Sequence, residues 1–468
     1  MTQFLMENRL HSVTNLPDDT TVLQFLRRDA GRSGTKEGCA SGDCGACTVV
    51  LAQVDGEKLH YQTVNACLTF VSALHGKQLI TVEDLKHRGE LHHAQQAMID
   101  NHASQCGFCT PGFVMSLFAL EKQQTFFERE QAQHALSGNL CRCTGYRPIM
   151  DAAQQVCEQP QADQFDRAEQ QTLQQLKSIK RASGPASIEA LATFYLDNPN
   201  ARLVAGGTDL ALDVTQRYQR LPKLISLSAI PELQQVSLTE TELLIGAAAP
   251  ISCCMPLVQQ EFPDFGLLLA RFASQQIRNQ GTFGGNIANA SPIGDGNPVL
   301  LALGATLVLR RGAVLRHLPL DQFFLGYKKT ALQAGEFIEQ IRIPRSTDSA
   351  RQLRVYKVSK RLEDDISAVC AALQIEVRQG VVVHARVAFG GMAEMARRAA
   401  HCEAELLGQP WKLATIERAA RALEQDFSPL SDFRASREYR MQVAKNLLRR
   451  GYIELTSPET LMRVTSYV

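Results

Sequence analysis

Nothing in this chain is long and apolar enough to span a bilayer as a helix, which takes about 18 or more consecutive apolar residues; the longest candidate, Pro298 to Leu309, falls short. Charge of one sign is missing too. Lys and Arg total 49 against 48 Asp and Glu, a formal +1, which supplies no field for holding nucleic acid or an acidic membrane surface. The opening residues, Met1 to Arg9, lack the plan of a secretory leader, so a cytoplasmic protein with no nucleic-acid or membrane partner is expected. In that reducing compartment the 13 cysteines are read as thiols for metals rather than as disulfides. The 11 histidines show no metal-ligand spacing.

What the chain does have is cysteine in order. Gly38 to Thr48 places Cys39, Cys44 and Cys47 in a C-x4-C-x2-C array, with Cys67 downstream, the plant-type ferredoxin spacing for a 2Fe-2S cluster. Small residues between them let the backbone wrap closely and aim N–H groups at sulfur. Structural zinc, whose ligands usually come as two close pairs, is the rival. A second set follows: Cys106 and Cys109 in QCGFCTPG, then Cys141 and Cys143 in NLCRCTGYRP. Zinc is a stronger rival for these C-x2-C and C-x-C pairs. Thr110 and Thr144 are expected to cap helices carrying Pro111 and Pro148 in their first turns, so that positive helix N-termini face a net negative group. The remaining Cys157, Cys253, Cys254, Cys370 and Cys402 lack ligand spacing and are expected as buried structural thiols.

At this length several domains are expected. A helix through Val22, Leu23, Phe25 and Leu26, capped within 18–21, and a hairpin turning at Asp55-Gly56 suit a ferredoxin-like domain ending near residue 85. Helices over 91–101 and 127–136, with those after Cys109 and Cys143, suggest a small four-helix domain. Residues 158–186, rich in Gln, Asp, Glu and Lys, read as an exposed linker, partly helical. A helix over 188–196 and a strand over 202–205 lead to Gly206-Gly207-Thr208-Asp209, where paired glycines would let a phosphate approach backbone N–H groups. This is not the G-x-G-x-x-G of a Rossmann unit. The passage Arg278 to Pro292, dense in glycine and side-chain amides, fits the lining of a long, hydrogen-bonding ligand. A helix at 299–303, strands over 355–358, 366–377 and 381–388, and helices near 399–407 and 440–449 close an α+β domain.

Seven motifs in this order, GCASGDCGACTV, NACLTF, QCGFCTPGF, LCRCTGYRP, VAGGTDL, IRNQGTFGGNIANASPIGDGNP and KVSKRLEDD, resemble the small subunits of bacterial two-chain enzymes in the xanthine oxidase family of molybdenum hydroxylases. The resemblance covers nearly the whole chain. It implies a multidomain α+β fold: a ferredoxin-like β-grasp domain over 1–85, a four-helix iron-sulfur domain over 86–160, a linker over 161–186, a two-part α/β FAD-binding domain over 187–346 and a C-terminal α+β domain over 347–468.

By the same resemblance, Cys39, Cys44, Cys47 and Cys67 would hold the 2Fe-2S cluster nearer the flavin. Cys106, Cys109, Cys141 and Cys143 would hold the one nearer the molybdenum cofactor, with Gln105 touching the pterin. Leu203, Val204, Ala205, Gly206, Gly207, Thr208, Asp209 and Leu210 would lie along the FAD pyrophosphate. Phe272, Thr282, Gly285, Asn286, Asp295, Ile338 and Lys357 would be further flavin contacts, with Arg361 and Asp364 bordering the isoalloxazine. The Gly-Gly-Thr-Asp turn departs from the Gly-Asn-Thr-Glu of mammalian members and agrees with bacterial ones. Because the chain ends at Val468 with no molybdenum domain, the resemblance implies a molybdenum-cofactor large subunit as partner in a dimer of heterodimers. It further implies xanthine dehydrogenase activity with NAD as acceptor, hydroxylation on the partner, and no catalytic residue here.

Overall fold

The computed structural model describes residues 1–181, 184–345 and 350–457. The N-terminal part is a five-stranded sheet in the order Arg9–Val13, Thr2–Met6, Gln78–Ile80, Thr48–Asp55, Lys58–Asn65. Only the pairing of Thr2–Met6 with Gln78–Ile80 is parallel. Across the sheet lies the expected helix. Thr21 caps it through a reciprocal bond with Gln24, and Val22–Gln24 runs on into a π-helical turn, Phe25–Asp29, that buries Phe25 and Leu26. Capping satisfies N–H groups that would otherwise face the sheet unpaired.

Four helices follow, His93–Asp100, Thr110–Gln123, Arg129–Leu136 and Arg147–Glu158. Residues 112–120 of the second are buried all round, so it is the axis of this part rather than an amphipathic surface helix. Neither Thr110 nor Thr144 caps a helix, contrary to expectation. Cys109 itself stands at the cap of the second helix, and the Thr110 hydroxyl bonds Ser104. The last helix begins after Tyr146, at φ 69°, while the Thr144 hydroxyl turns to Cys141 Sγ at 3.3 Å.

The segment expected as linker departs from an exposed tether. Gln164–Ser178 is a helix capped by Asp163, with Phe165, Leu173 and Leu176 buried in the same core as Phe118. Its apolar residues are few but share one face, and the Phe118 and Phe165 rings meet at 5.1 Å.

Beyond it, Ile188–Asp197 is capped by Ser187, and Arg202–Val204 pairs in parallel with Leu224–Ser226. An antiparallel sheet in the order Val314–Pro319, Thr306–Arg311, Phe337–Pro344, Glu242–Gly246, Val236–Leu238 carries the largest core. The glycine-rich passage starts at the last residue of the helix Gln275–Arg278 and holds the helix Phe283–Asn289. The closing part is a four-stranded antiparallel sheet, Arg351–Val358, Val369–Arg378, Val381–Gly390, Arg397–Arg398, with the expected turn at Gln379 and Gly380, both at positive φ. Helices Ala400–Leu406, Leu413–Asp426 and Arg437–Thr456 pack with it. No helix among the described residues is long and apolar enough to cross a membrane.

Candidate redox centres

In the first loop Cys47 and Cys67 Sγ lie 3.3 Å apart. Cys39 and Cys44 form the second pair: the Ser41 and Cys44 N–H groups reach Cys39 Sγ, and the Cys39 N–H reaches Cys44 Sγ, each at 3.4 Å. Hydrogen bonding from the Cys44 thiol, working against burial, draws Cys39 down to about 4. Wrapping this tightly needs small residues: a Cβ on Gly38 would stand 2.8 Å from Cys44 Sγ, and Gly42 and Gly45 sit at positive φ.

The second set also pairs, Cys109 with Cys141 and Cys106 with Cys143. Cys106 and Cys143 are exposed, as is Gln105. Among the described residues no three Cys, His, Asp or Glu side chains converge on a point suited to one ion. Thiols arranged two by two, with N–H groups aimed at sulfur, fit a group with two metal centres better than a single tetrahedral zinc. Of the cysteines without ligand spacing, Cys157, Cys254, Cys370 and Cys402 are buried; Cys253 is exposed, because it lies on the outer side of the helix Ile251–Glu261.

The two sets are joined. The Leu140 N–H donates to the Cys44 carbonyl at 3.0 Å, and Leu140 is bonded to Cys141, so one hydrogen bond separates a cysteine of each set.

Behind the first loop lies the Gly206 turn. Among the described residues the N–H groups of Gly206, Gly207, Thr208 and Asp209 find no acceptor in the chain, and successive free N–H groups make an anion-binding concavity. Gly206 is packed so hard on the chain that a Cβ would stand 1.8 Å from the Gln280 carbonyl, while Gly207 faces Phe70 of the first domain. Leu203 and Val204 are on the strand leading in, and Ala205 and Leu210 flank the turn. From Gln280 the chain enters the helix whose cap is Thr282, its hydroxyl taking the Gly285 N–H at 2.9 Å. The Asn286 amide at the end of that turn faces Gly294, as does the Asn297 amide.

Next to them Lys357 Nζ and Asp295 Oδ2 form a buried ion pair at 2.5 Å, braced by the Asp365 carbonyl and Ser367. Asp295 Oδ1 and both Asn297 amide atoms are buried without partners, a polar debt that a bound polar ligand would satisfy. Sequence reasoning missed Asn297, although it is an amide inside the motif already singled out. Ile338 is buried in the main core on the strand beside Leu309. The Phe272 carbonyl is held by Arg278 at 2.9 Å. Asp364, at φ 45°, closes the circuit: burial and the nearby Asp43 of the cysteine loop push its carboxyl up to about 7 against the pull of Arg361 and Arg278.

Four family models match in succession: a 2Fe-2S iron-sulfur cluster binding domain over 6–72, a 2Fe-2S binding domain over 81–154, an FAD binding domain in molybdopterin dehydrogenase over 178–346 and a CO dehydrogenase flavoprotein C-terminal domain over 354–455. A xanthine dehydrogenase of Emericella nidulans is 34% identical over 88% of this chain. The chain belongs to the xanthine oxidase family of molybdenum hydroxylases. Within it, this is an iron-sulfur and FAD electron-transfer module. The xanthine dehydrogenase/oxidase of Gallus gallus is 32% identical over 88% of the chain. The chain spans only 35% and 37% of the lengths of these two family members. Among solved structures, quinoline 2-oxidoreductase from Pseudomonas putida 86 superposes with a TM-score of 0.54 at 28% identity, over 60% of this chain and 99% of that one. Carbon monoxide dehydrogenase from Hydrogenophaga pseudoflava gives 0.54 at 29%, over 57% and 93%.

Proposed function

We propose that this chain is the electron-transfer arm of a xanthine dehydrogenase, linking a partner chain that holds the molybdenum cofactor to NAD. Cys39, Cys44, Cys47 and Cys67 hold one 2Fe-2S cluster, and Cys106, Cys109, Cys141 and Cys143 hold the other. The free N–H groups of 206–209 hold the FAD pyrophosphate between the flanking residues Leu203–Ala205 and Leu210. Phe272, Thr282, Gly285, Asn286, Asp295, Ile338 and Lys357 line the rest of the flavin site. When bound, each cluster carries one electron and the flavin collects single electrons and releases pairs.

The chain's own residues set the order. Exposed Cys106 and Cys143 put the second set where a partner's cofactor can approach. The Leu140–Cys44 hydrogen bond joins the sets, and Gly207 against Phe70 brings the flavin turn to the first domain. That succession of contacts is the observation that carries the reading. The curated relatives named for xanthine favour xanthine as substrate; the likeness to quinoline and CO enzymes supports a second reading, the same arm serving another molybdenum hydroxylase.

The test is to purify the chain alone and with its co-purifying large partner. Alone, it is expected to contain four irons per FAD and to oxidise NADH with artificial acceptors. Xanthine oxidation should require a molybdenum-containing partner at one-to-one stoichiometry in a dimer of heterodimers. Xanthine turnover by the single chain would contradict the assignment.

A further inference from the structure

A polar knot lies where the first sheet domain, the four-helix domain and the flavin half meet. The Gly45 carbonyl, inside the first cysteine loop, accepts from the Thr48 N–H at 3.0 Å, the Thr48 hydroxyl at 2.7 Å and the Asn139 amide at 3.0 Å. Behind these donors stand others pointing the same way. Gln276, from the flavin half, donates to the Thr48 hydroxyl at 3.2 Å and to Asn139 Oδ1 at 3.1 Å; Ser116 donates to Asn139 Oδ1 at 2.7 Å. Thr48, Ser116, Asn139 and Gln276 are all buried. Gln276 Oε1 has no partner among the described residues, so nothing draws the Gln276 dipole the other way.

Hydrogen bonds in such a chain polarise one another, and strongly so away from water. A carbonyl loaded with donors makes the N–H at the far end of its own peptide unit a better donor. For Gly45 that N–H belongs to Ala46, which lies beside Cys44 against Gly38 and turns its N–H toward the Cys44 sulfur. Hydrogen bonds to the sulfurs of an iron-sulfur centre stabilise its more negative, reduced form and raise its potential.

We propose that Gln276 and Asn139 are positioning residues that raise the reduction potential of the first centre by acting through Thr48 and the Gly45–Ala46 peptide on Cys44. The flavin half thereby tunes a centre to which it contributes no ligand. The inference rests on the assignment of a cluster to Cys39, Cys44, Cys47 and Cys67, and its failure is distinguishable from the failure of that assignment, which would leave wild-type protein without the corresponding signal.

Reductive titration of the holoprotein followed by electron paramagnetic resonance tests it, the first centre being the signal altered in Cys39→Ser. Gln276→Met keeps the length and removes both donated bonds. Thr48→Val removes the hydroxyl, and Thr48→Ser restores it. Gln276→Met and Thr48→Val are expected to lower the equilibrium constant for reducing the first centre about tenfold, ~59 mV for one electron. Thr48→Ser should recover most of that shift, and the second centre should stay where it is. If Thr48→Val does not retain iron, Gln276→Met, which lies outside the cysteine loop, decides the matter. An unmoved first-centre potential in iron-loaded Gln276→Met would overturn the proposal, as would equal shifts of both centres.

Discussion

Gly206 has no room for even one more carbon. Its missing Cβ would meet the backbone of Gln280 and Gly281 rather than a side chain that could swing aside. Gly206→Ala must therefore displace one wall of the turn. The expected result is loss of bound flavin, read from absorbance after gel filtration, with iron content unchanged. Asp163 is a residue of another kind. Burial pushes its carboxyl up, yet His92, Lys122 and the Asp166 N–H together hold it below the usual carboxylate range. A depressed folded value contributes stability that is fully present above about pH 4 and is lost as pH falls through that value. Acidification below pH 4 should therefore lower the denaturation midpoint. Asp163→Asn, which keeps a capping oxygen, should flatten that part of the profile and cost about 2 kcal/mol at neutral pH by removing the charge opposite His92 and Lys122, while Lys122 keeps Asp166 as its partner.

At the scale of elements, the helix Gln164–Ser178 sits where composition pointed to a tether. Leu173 is 2% exposed and belongs to the core around Phe118, so Leu173→Ala is expected to cost about 3 kcal/mol, measured by chemical denaturation with both cysteine sets loaded. That helix shows what was legible and what was not. Cysteine spacing, the hairpin turns and the helix over 188–197 could be read locally, because each rests on residues near in sequence. Gln164–Ser178 buries few large residues among many polar ones, and its docking is decided by Phe118 and Tyr61, far away in the chain. Thr110 and Thr144 misled for a related reason: both lie in good capping context, but their hydroxyls found Ser104 and Cys141 instead. In the candidate site, the cysteines and the Gly206 turn were marked by composition. Gln276 and Asn139 were not, since a single amide in a sequence does not reveal which carbonyl it will reach.

Across the whole molecule, the parts are less separate than four successive family models suggest. The core of the first domain takes in Ala211, fully buried, and packs against Leu210, Leu212, Leu224 and Ile277 of the flavin half. Asn279 donates to the Thr63 carbonyl at 2.9 Å, and Thr69 meets Gln280 at 3.0 Å. Domains with small polar interfaces unfold one at a time; here a shared apolar core ties them. On a thermal ramp, release of flavin fluorescence and bleaching of the iron-sulfur bands are expected at one temperature, and two well-resolved transitions would contradict a shared core.

The seam at Gly45 bears on how such proteins can be recombined. A Cβ on Gly45 would stand 2.2 Å from the Gly138 carbonyl, and one on Gly112 would stand 2.3 Å from the Gly45 carbonyl, so three glycines from two modules interlock without side chains. A chimera that imports either module from a homologue must bring Gly45, Gly112 and Gly138 as a matched trio. An otherwise sound graft carrying alanine at Gly45 or Gly112 would hold the two halves of the wire apart, and one carrying it at Gly138 would instead press on Gln276 and Ser274 of the flavin half.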